Sequence, residues 1–315
     1  MNRRYTEEMA TALKSHDAPV FLVGATATGK SDAALALARE WGGAILAMDA
    51  MQVYRGADIG TGKPSAAERA EVPHGGLDLA EVGEGFDVAR YLEQAGTFLR
   101  EQREVGRRVI VVGGTGLYFR ALTRGLCEAP QGSDELRAEL RALSVEELRV
   151  RLERVDPGMI ERLDRSNPRR LARAIEVKEA TGRSLLAWQE KTPEPLTPDF
   201  TAIRIGRAKE ELQERIAARV EAMFAAGWVD EVRGLAERHG WEAVAGFPGI
   251  GYREIGEALR IGGKGGMPDS VKSDIIVATR QYAKRQLTWF AREPNLHRVM
   301  LSGNQPISAA LLSLP

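Results

Sequence analysis

"FLVGATATGKSDAALALA", residues 21–38, decides the fold. An apolar run ends at Gly24, a short loop follows, and from Lys30 the apolar residues recur at helical spacing. Gly24, Gly29, Lys30 and Ser31 fit G-x-x-x-x-G-K-[ST], and the fit lies where the pattern has chemical meaning, after a strand and opening a helix. Glycine lets consecutive backbone N–H groups turn toward phosphate oxygens, and the helix start adds the positive end of its dipole. Gly24, Ala25, Thr26, Ala27, Thr28, Gly29, Lys30 and Ser31 are therefore the candidate diphosphate-binding segment. Lys30 supplies a point charge and Ser31 a hydroxyl for magnesium, so Mg2+ is the expected cofactor.

Outward from this loop the chain alternates strands and helices. Residues 19–23 read as a buried strand, 29–41 as a helix, and 44–49 ("AILAMD") as a second strand ending on Asp49. A helical pattern from Asp87 to about Glu104 leads through Gly106 into "RRVIVVGG", a continuous apolar run suited to a strand covered on both faces. This order predicts an α/β fold with a parallel sheet flanked by helices. From Ser133 to Gln189 the pattern is helical throughout, and "KTPEPLTPDF" closes the stretch with three prolines. Strand character returns at "FTAIRI", followed by helical patterns over 209–226, 228–239, 251–260 and roughly 270–291. The expected organisation is a catalytic core over 1–128, an all-helical insertion over 129–199, and the core continued over 200–315.

Composition limits the function classes. The chain has 315 residues, 44 Lys and Arg against 44 Asp and Glu, and a single cysteine, Cys127. No run of about 18 apolar residues is present to cross a membrane. One cysteine excludes an internal disulfide and a multi-cysteine zinc site. The amino terminus, "MNRRYTEEMATALKSHDAPV", lacks the apolar stretch and cleavage site of a secretory signal and reads as a surface arm, so a cytoplasmic address is expected.

A phosphate loop alone does not name a reaction. A P-loop hydrolase adds an apolar strand ending in an acid that assists magnesium. Here "VIVVGG" ends in Gly113 and Gly114 with Thr115 next, which weakens that reading. Ligands gather at the carboxyl ends of parallel strands, so Asp49, Thr115 and the loop are expected to converge. Asp49 is a candidate general base, with turn formation as its structural alternative. Thr115 can position that base or cap the helix after it. Arg215 and Arg219 are four apart and share a helix face, where they can meet diphosphate or solvent.

Six segments in register carry a resemblance: "GATATGKS", "MDAMQVYRGADIGTGKP", "VGGTGLYFRAL", "NPRRLARAIEVKEATGRS", "GIGYREI" and "TRQYAKRQLTWFAR". Together, from about residue 20 to 292, they closely resemble the tRNA dimethylallyltransferases, also called tRNA isopentenyltransferases. The resemblance implies a P-loop NTPase-like core. It also implies transfer of a dimethylallyl group from dimethylallyl diphosphate to the N6 amine of the adenosine at tRNA position 37, with magnesium assisting departure of diphosphate. Catalytic roles then fall to Asp49, Thr115 and Lys30, with Arg219 added to the diphosphate site.

For the tRNA, the same resemblance implies contacts from Asp49, Ala50, Met51, Gln52 and Thr115 near the target base. It adds Arg137, Arg169, Arg170 and Arg173 in the helical insertion, which would grip the anticodon stem-loop. Gly251, Tyr252, Arg253, Lys284, Arg285, Gln286 and Trp289 complete the set. The stretch from Arg280 to Arg298 holds five Lys or Arg against one acid, Glu293, with Tyr282, Trp289 and Phe290 interleaved, a mixture suited to an RNA strand. By composition alone the same stretch reads as an amphipathic helix with core aromatics. The expected partners are tRNA and dimethylallyl diphosphate, with neither DNA nor membrane, and the chain is expected to act as a monomer. A P-loop kinase of a small molecule or nucleotide is the alternative. Departures from the family are Ala50 where serine is common, Ala25 where proline is usual, glycines after His74, and no carboxy-terminal zinc finger.

Overall fold

The computed structural model describes residues 18–261 and 267–303, so most of the amino-terminal arm lies outside the described residues. In chain order, β1 (Val20–Gly24), α1 (Lys30–Trp41) and β2 (Ala44–Met48) are followed by α2 (Ala66–Glu71) and β3 (His74–Gly75). Next come α3 (Val88–Glu104), β4 (Val109–Gly113) and α4 (Gly116–Arg124). Five helices follow: α5 (Asp134–Ala142), α6 (Val145–Val155), α7 (Pro157–Ile160), α8 (Pro168–Thr181) and α9 (Leu185–Gln189). The chain then forms β5 (Thr201–Arg207), α10 (Lys209–Ala225), α11 (Trp228–His239), α12 (Trp241–Gly246), α13 (Tyr252–Ile261), α14 (Asp269–Ala291) and β6 (His297–Leu301).

The six strands form one sheet in the order β3-β2-β4-β1-β5-β6, and every pairing is parallel. This is the α/β architecture the alternation predicts. Both faces are covered, as continuous apolar strands require. Phe21, Val23, Leu46, Met48, Val109 and Val111 enter the larger core on one face. Val20, Leu22, Ile45, Ile110, Val112, Ile203 and Ile205 enter the core on the other, against Ala33, Ala34, Leu37 and Ala38 of α1. Alanine at those helix positions lets α1 lie close to the sheet.

Register places the site. Val23 pairs with Gly113, and Met48 pairs with the same residue. Gly24, Asp49 and Gly114 therefore leave three adjacent strands at one level. Gly24 has φ +144°, and a Cβ there would lie 2.4 Å from Ile205 O, so only glycine fits this strand end. A Cβ on Gly113 would lie 2.0 Å from Met48 O.

The chain divides into two compact units, Met1–Thr123 with Leu196–Pro315, and Arg124–Pro195. In the first, Thr197 returns the chain to α4 by donating from N and Oγ1 to Leu122 O at 3.0 and 2.9 Å. The second is helical. Ser133, Ser144 and Asn167 cap α5, α6 and α8. Leu140, Leu148, Leu152, Met159, Leu171 and Ile175 form its core. Four elements carry no clear signal in the sequence: α2, β3, α12 and β6. In β6 only Val299 and Leu301 are buried, so a sheet-edge strand of five residues mixes charge and apolar character without a long run.

Candidate active site

The loop between β1 and α1 is held by its carbonyls. Ala25 O accepts from Thr28 Oγ1 at 2.9 Å and from Lys30 Nζ at 2.5 Å. Ala27 O accepts from Arg215 Nε at 2.9 Å, and Thr28 O from Arg207 Nε at 3.0 Å. In a trans peptide the N–H points opposite to the carbonyl it adjoins. Tying the Ala27 and Thr28 carbonyls to arginines therefore aims the Thr28 and Gly29 N–H groups the other way. Ala27 holds φ +61° and Gly29 φ +91°, the left-handed values that turn the chain into this cradle. Gly29 caps α1 with no side-chain hydrogen bond, which leaves the first helical amides open to an anion. Arg215 serves the loop's backbone here, and Arg207, which the sequence reading did not single out, shares that task.

Asp49 stands one residue past β2. Its Oδ1 accepts from Met51 N at 2.8 Å, so it shapes the turn as well as offering a carboxylate. Burial pushes its carboxyl above the usual range, against the Met51 N–H, Lys30, the Gln52 N–H and Arg219, which favour the ionised form. Thr115 Oγ1 accepts from Ala50 N at 3.1 Å, and the Tyr282 hydroxyl of α14 interacts with the Thr115 side chain. Thr115 thus fixes the residue after Asp49. Tyr91 donates from its hydroxyl to Ala47 O at 3.0 Å and stacks on Tyr118, 4.0 Å between centroids, which lines the neighbourhood of Asp49 with rings.

Beside the loop opens a cavity of about 390 Å³. Ser31, Asp32, Gln52, Lys63 and Arg219 give it polar walls, and Ile45, Ala47, Val112 and Met223 apolar ones. Arg219 is the charge to note. Among the described residues its guanidinium has no hydrogen-bond partner, and burial lowers its pKa while Asp49 and Asp32 pull it back up. Gly62 makes room for it, since a Cβ there would lie 2.0 Å from an Arg219 Nη. Lys30 is buried, and desolvation with the Arg219 charge brings its pKa down to about 7 despite Asp49. Two coupled cations, Arg219 at the cavity wall and the buried Lys30, make a site that an anion stabilises.

No group of three or more His, Cys, Asp or Glu among the described residues is placed for a metal. Magnesium asks for less, because it keeps several waters and takes one or two protein oxygens together with phosphate. The Ser31 hydroxyl and the Asp32 carboxylate, both at the cavity wall, fit that demand.

Several residues expected at RNA are placed in other ways. Gln52 donates from Nε2 to Thr61 O and Gly62 O at 3.2 and 3.1 Å, holding the loop that lines the cavity. Ala50 and Met51 are partly buried against the core. Tyr252 is fully buried, with its hydroxyl donating to Glu231 at 2.7 Å, and Gly251 packs under Trp228. Gln286 is also buried, with both ends of its carboxamide used. None of these last three presents a side chain at the surface. Lys284, Arg285 and Arg253 are exposed, and Trp289 is half-buried with Arg120 4.9 Å above its ring. Within the helical unit Arg169 and Arg170 are exposed. Arg173 instead donates to Ala129 O and Pro130 O at 2.6 and 3.2 Å, and Arg137 pairs with Asp134 and Gln131.

The fold and this site define a P-loop α/β protein whose loop and helix start suit a diphosphate-like anion beside a buried carboxylate, with glycine where a hydrolase keeps its second acid. The IPP transferase family model matches residues 52–293. The chain belongs to that family. It is 44% identical over 286 residues to a tRNA dimethylallyltransferase of Methylacidiphilum infernorum, covering 90% of this chain and 86% of the relative. A second relative so named, from Geobacter metallireducens, is 41% identical and covers 88% of this chain and 90% of its own length. The crystal structure of a tRNA isopentenylpyrophosphate transferase from Bacillus halodurans superposes with TM-score 0.65 at 30% identity, covering 94% of this chain and 95% of that one. A eukaryotic dimethylallyltransferase acting on tRNA shares the fold, with TM-score 0.75 at 22% identity over 90% of this chain and 74% of that one.

Proposed function

We propose that the protein transfers the dimethylallyl group of dimethylallyl diphosphate to the N6 amine of adenosine 37 of tRNA, giving N6-dimethylallyladenosine and diphosphate. The observation that supports this reading is the electrostatic cluster of Lys30, Asp49 and Arg219 beside an uncapped helix start, with Arg219 lining the cavity. A new bond forms between N6 and the allylic carbon as the carbon–oxygen bond breaks, and its electron pair leaves with the diphosphate.

The departing anion is met by the amides of the loop, Lys30 and Arg219. Ser31 and Asp32 would hold magnesium, which would supply charge neutralisation for the diphosphate. Asp49 accepts a hydrogen bond from N6 and takes its proton, and its raised pKa suits it to hold that proton. Thr115 keeps the Asp49 turn in place through the Ala50 N–H. The adenine is drawn out of the anticodon loop to reach this depth. Arg253, Lys284, Arg285 and Trp289, with Arg169 and Arg170 of the helical unit, are the RNA contacts in this reading. Residues 129–199 grip the anticodon stem-loop, and the chain acts as a monomer in the cytoplasm.

The test is an incubation of protein, magnesium and unmodified tRNA with labelled dimethylallyl diphosphate or labelled ATP. Label should enter the tRNA only from the prenyl donor. Phosphate moving from ATP to a small acceptor would replace this reading with a kinase. Asp49→Ala should cut turnover by about a hundredfold or more with tRNA affinity kept within a few-fold.

A further inference from the structure

One side chain of α14 joins the two halves of the candidate active site. Gln286 accepts at Oε1 from Thr26 N of the phosphate loop at 2.8 Å and donates from Nε2 to Gly114 O at the end of β4 at 3.0 Å. One turn earlier on the same helix, the Tyr282 hydroxyl interacts with the side chains of both Gln286 and Thr115. Thr115 in turn receives the Ala50 N–H, next to Asp49. A series of polar interactions therefore runs from residue 26 in the loop to residue 50 in the turn of the base. Glycine at 114 is part of this arrangement, because a Cβ there would lie 1.9 Å from Gln286 Nε2.

Gln286 is 6% exposed, whereas its neighbours Lys284, Arg285 and Leu287 are exposed. Helical geometry thus separates one segment into an outer basic face and an inner carboxamide. The Gln286 carboxamide is turned inward and bonded at both ends to backbone, so it is not presented to an RNA base at the surface.

Resting on the prenyl-transfer reading, the geometry points to Gln286 as a positioning residue that sets the diphosphate loop in register with the Asp49 turn, with Tyr282 as its second link, and assigns it no contact with RNA. Displacement at an allylic carbon needs nucleophile and leaving group in line, so a slip between loop and turn costs rate more than binding of the RNA. Loss of the Thr26 anchor also weakens the hold on diphosphate itself.

Steady-state transfer, tRNA affinity by filter binding and inorganic pyrophosphate affinity by calorimetry are measured for wild type, Gln286→Ala, Tyr282→Phe and the double variant. Gln286→Ala is expected to lower kcat about tenfold or more and to weaken pyrophosphate binding several-fold, with tRNA Kd within about twofold of wild type. Tyr282→Phe is expected to lower kcat in the same direction by less, and the double variant to resemble Gln286→Ala, because both act on one series of interactions. A weakened tRNA Kd with kcat retained at saturating tRNA would make Gln286 an RNA contact and overturn the proposal. So would a kcat and pyrophosphate affinity per folded molecule equal to wild type. Should Gln286→Ala not fold, a wild-type kcat in Tyr282→Phe overturns it alone. A wild type that binds pyrophosphate yet places no label in tRNA fails the functional reading, and the pyrophosphate comparison still judges the loop.

Discussion

Lys30 illustrates how a charge is kept ready without being spent on the protein. Its ammonium donates to Ala25 O, a weak substitute for phosphate, and burial with Arg219 nearby brings its pKa to about 7. A bound diphosphate favours the charged form, so binding must draw in a proton wherever the free side chain has lost it. The expectation is a proton uptake by the protein that grows as pH rises from 6 to 8, which opposes pyrophosphate binding above about pH 7. Calorimetry in two buffers of different ionisation enthalpy measures this directly, and an uptake that does not change with pH would remove Lys30 as its source. Lys30 and Asp49 were legible because a motif and a strand end mark them. Arg207, Arg215 and Gln286 were not legible in their actual tasks. Their partners are backbone atoms of the loop, 179, 188 and 260 residues away, and backbone leaves no letter to pair with.

Among elements, the loop after β2 shows how one carboxylate can organise a whole segment. Glu231 of α11 accepts from the N–H groups of Asp58, Ile59 and Gly60 at 2.8, 2.6 and 3.2 Å and from the Tyr252 hydroxyl. Lys63, at the end of that loop, is buried and bonded to Tyr54 O, Asp58 and Asp78. Glu231→Ala should lower stability by about 2 kcal/mol and Tyr252→Phe by about 1 kcal/mol, read as urea midpoints at an unchanged m-value. A Glu231→Ala midpoint equal to wild type would mean the loop is held by packing alone. The buried parallel strands and long helices were readable from their periods, because "VIVVG" and the 209–226 stretch are uniform along their length. The edge strand β6 and the six-residue helices α2 and α12 were not. Elements so short take their conformation from neighbours, and periodicity needs length to appear.

For the whole molecule, equal numbers of acidic and basic residues leave no global field to draw in RNA, so recognition must be local. Lys284 and Arg285 stand exposed on a helix whose inner residues serve the catalytic loop. Lys284→Ala combined with Arg285→Ala should reduce the slope of log K for tRNA against log salt by about one to two. An unchanged slope would place both cations in solvent. The helical stretch shows in the sequence as a switch from strand–helix alternation to pure helix. Which arginines of the helical stretch face outward could not, since Arg173 is drawn to the carbonyls of Ala129 and Pro130 by the chain's path rather than by any pattern.

The end of β4 has a consequence for what this scaffold can become. Any residue other than glycine at 113 would push its first side-chain carbon into the main chain of the adjoining strand. An acid cannot be installed there by substitution alone. At position 113 backbone spacing therefore bars the acid of a nucleotide hydrolase unless the adjoining strand shifts.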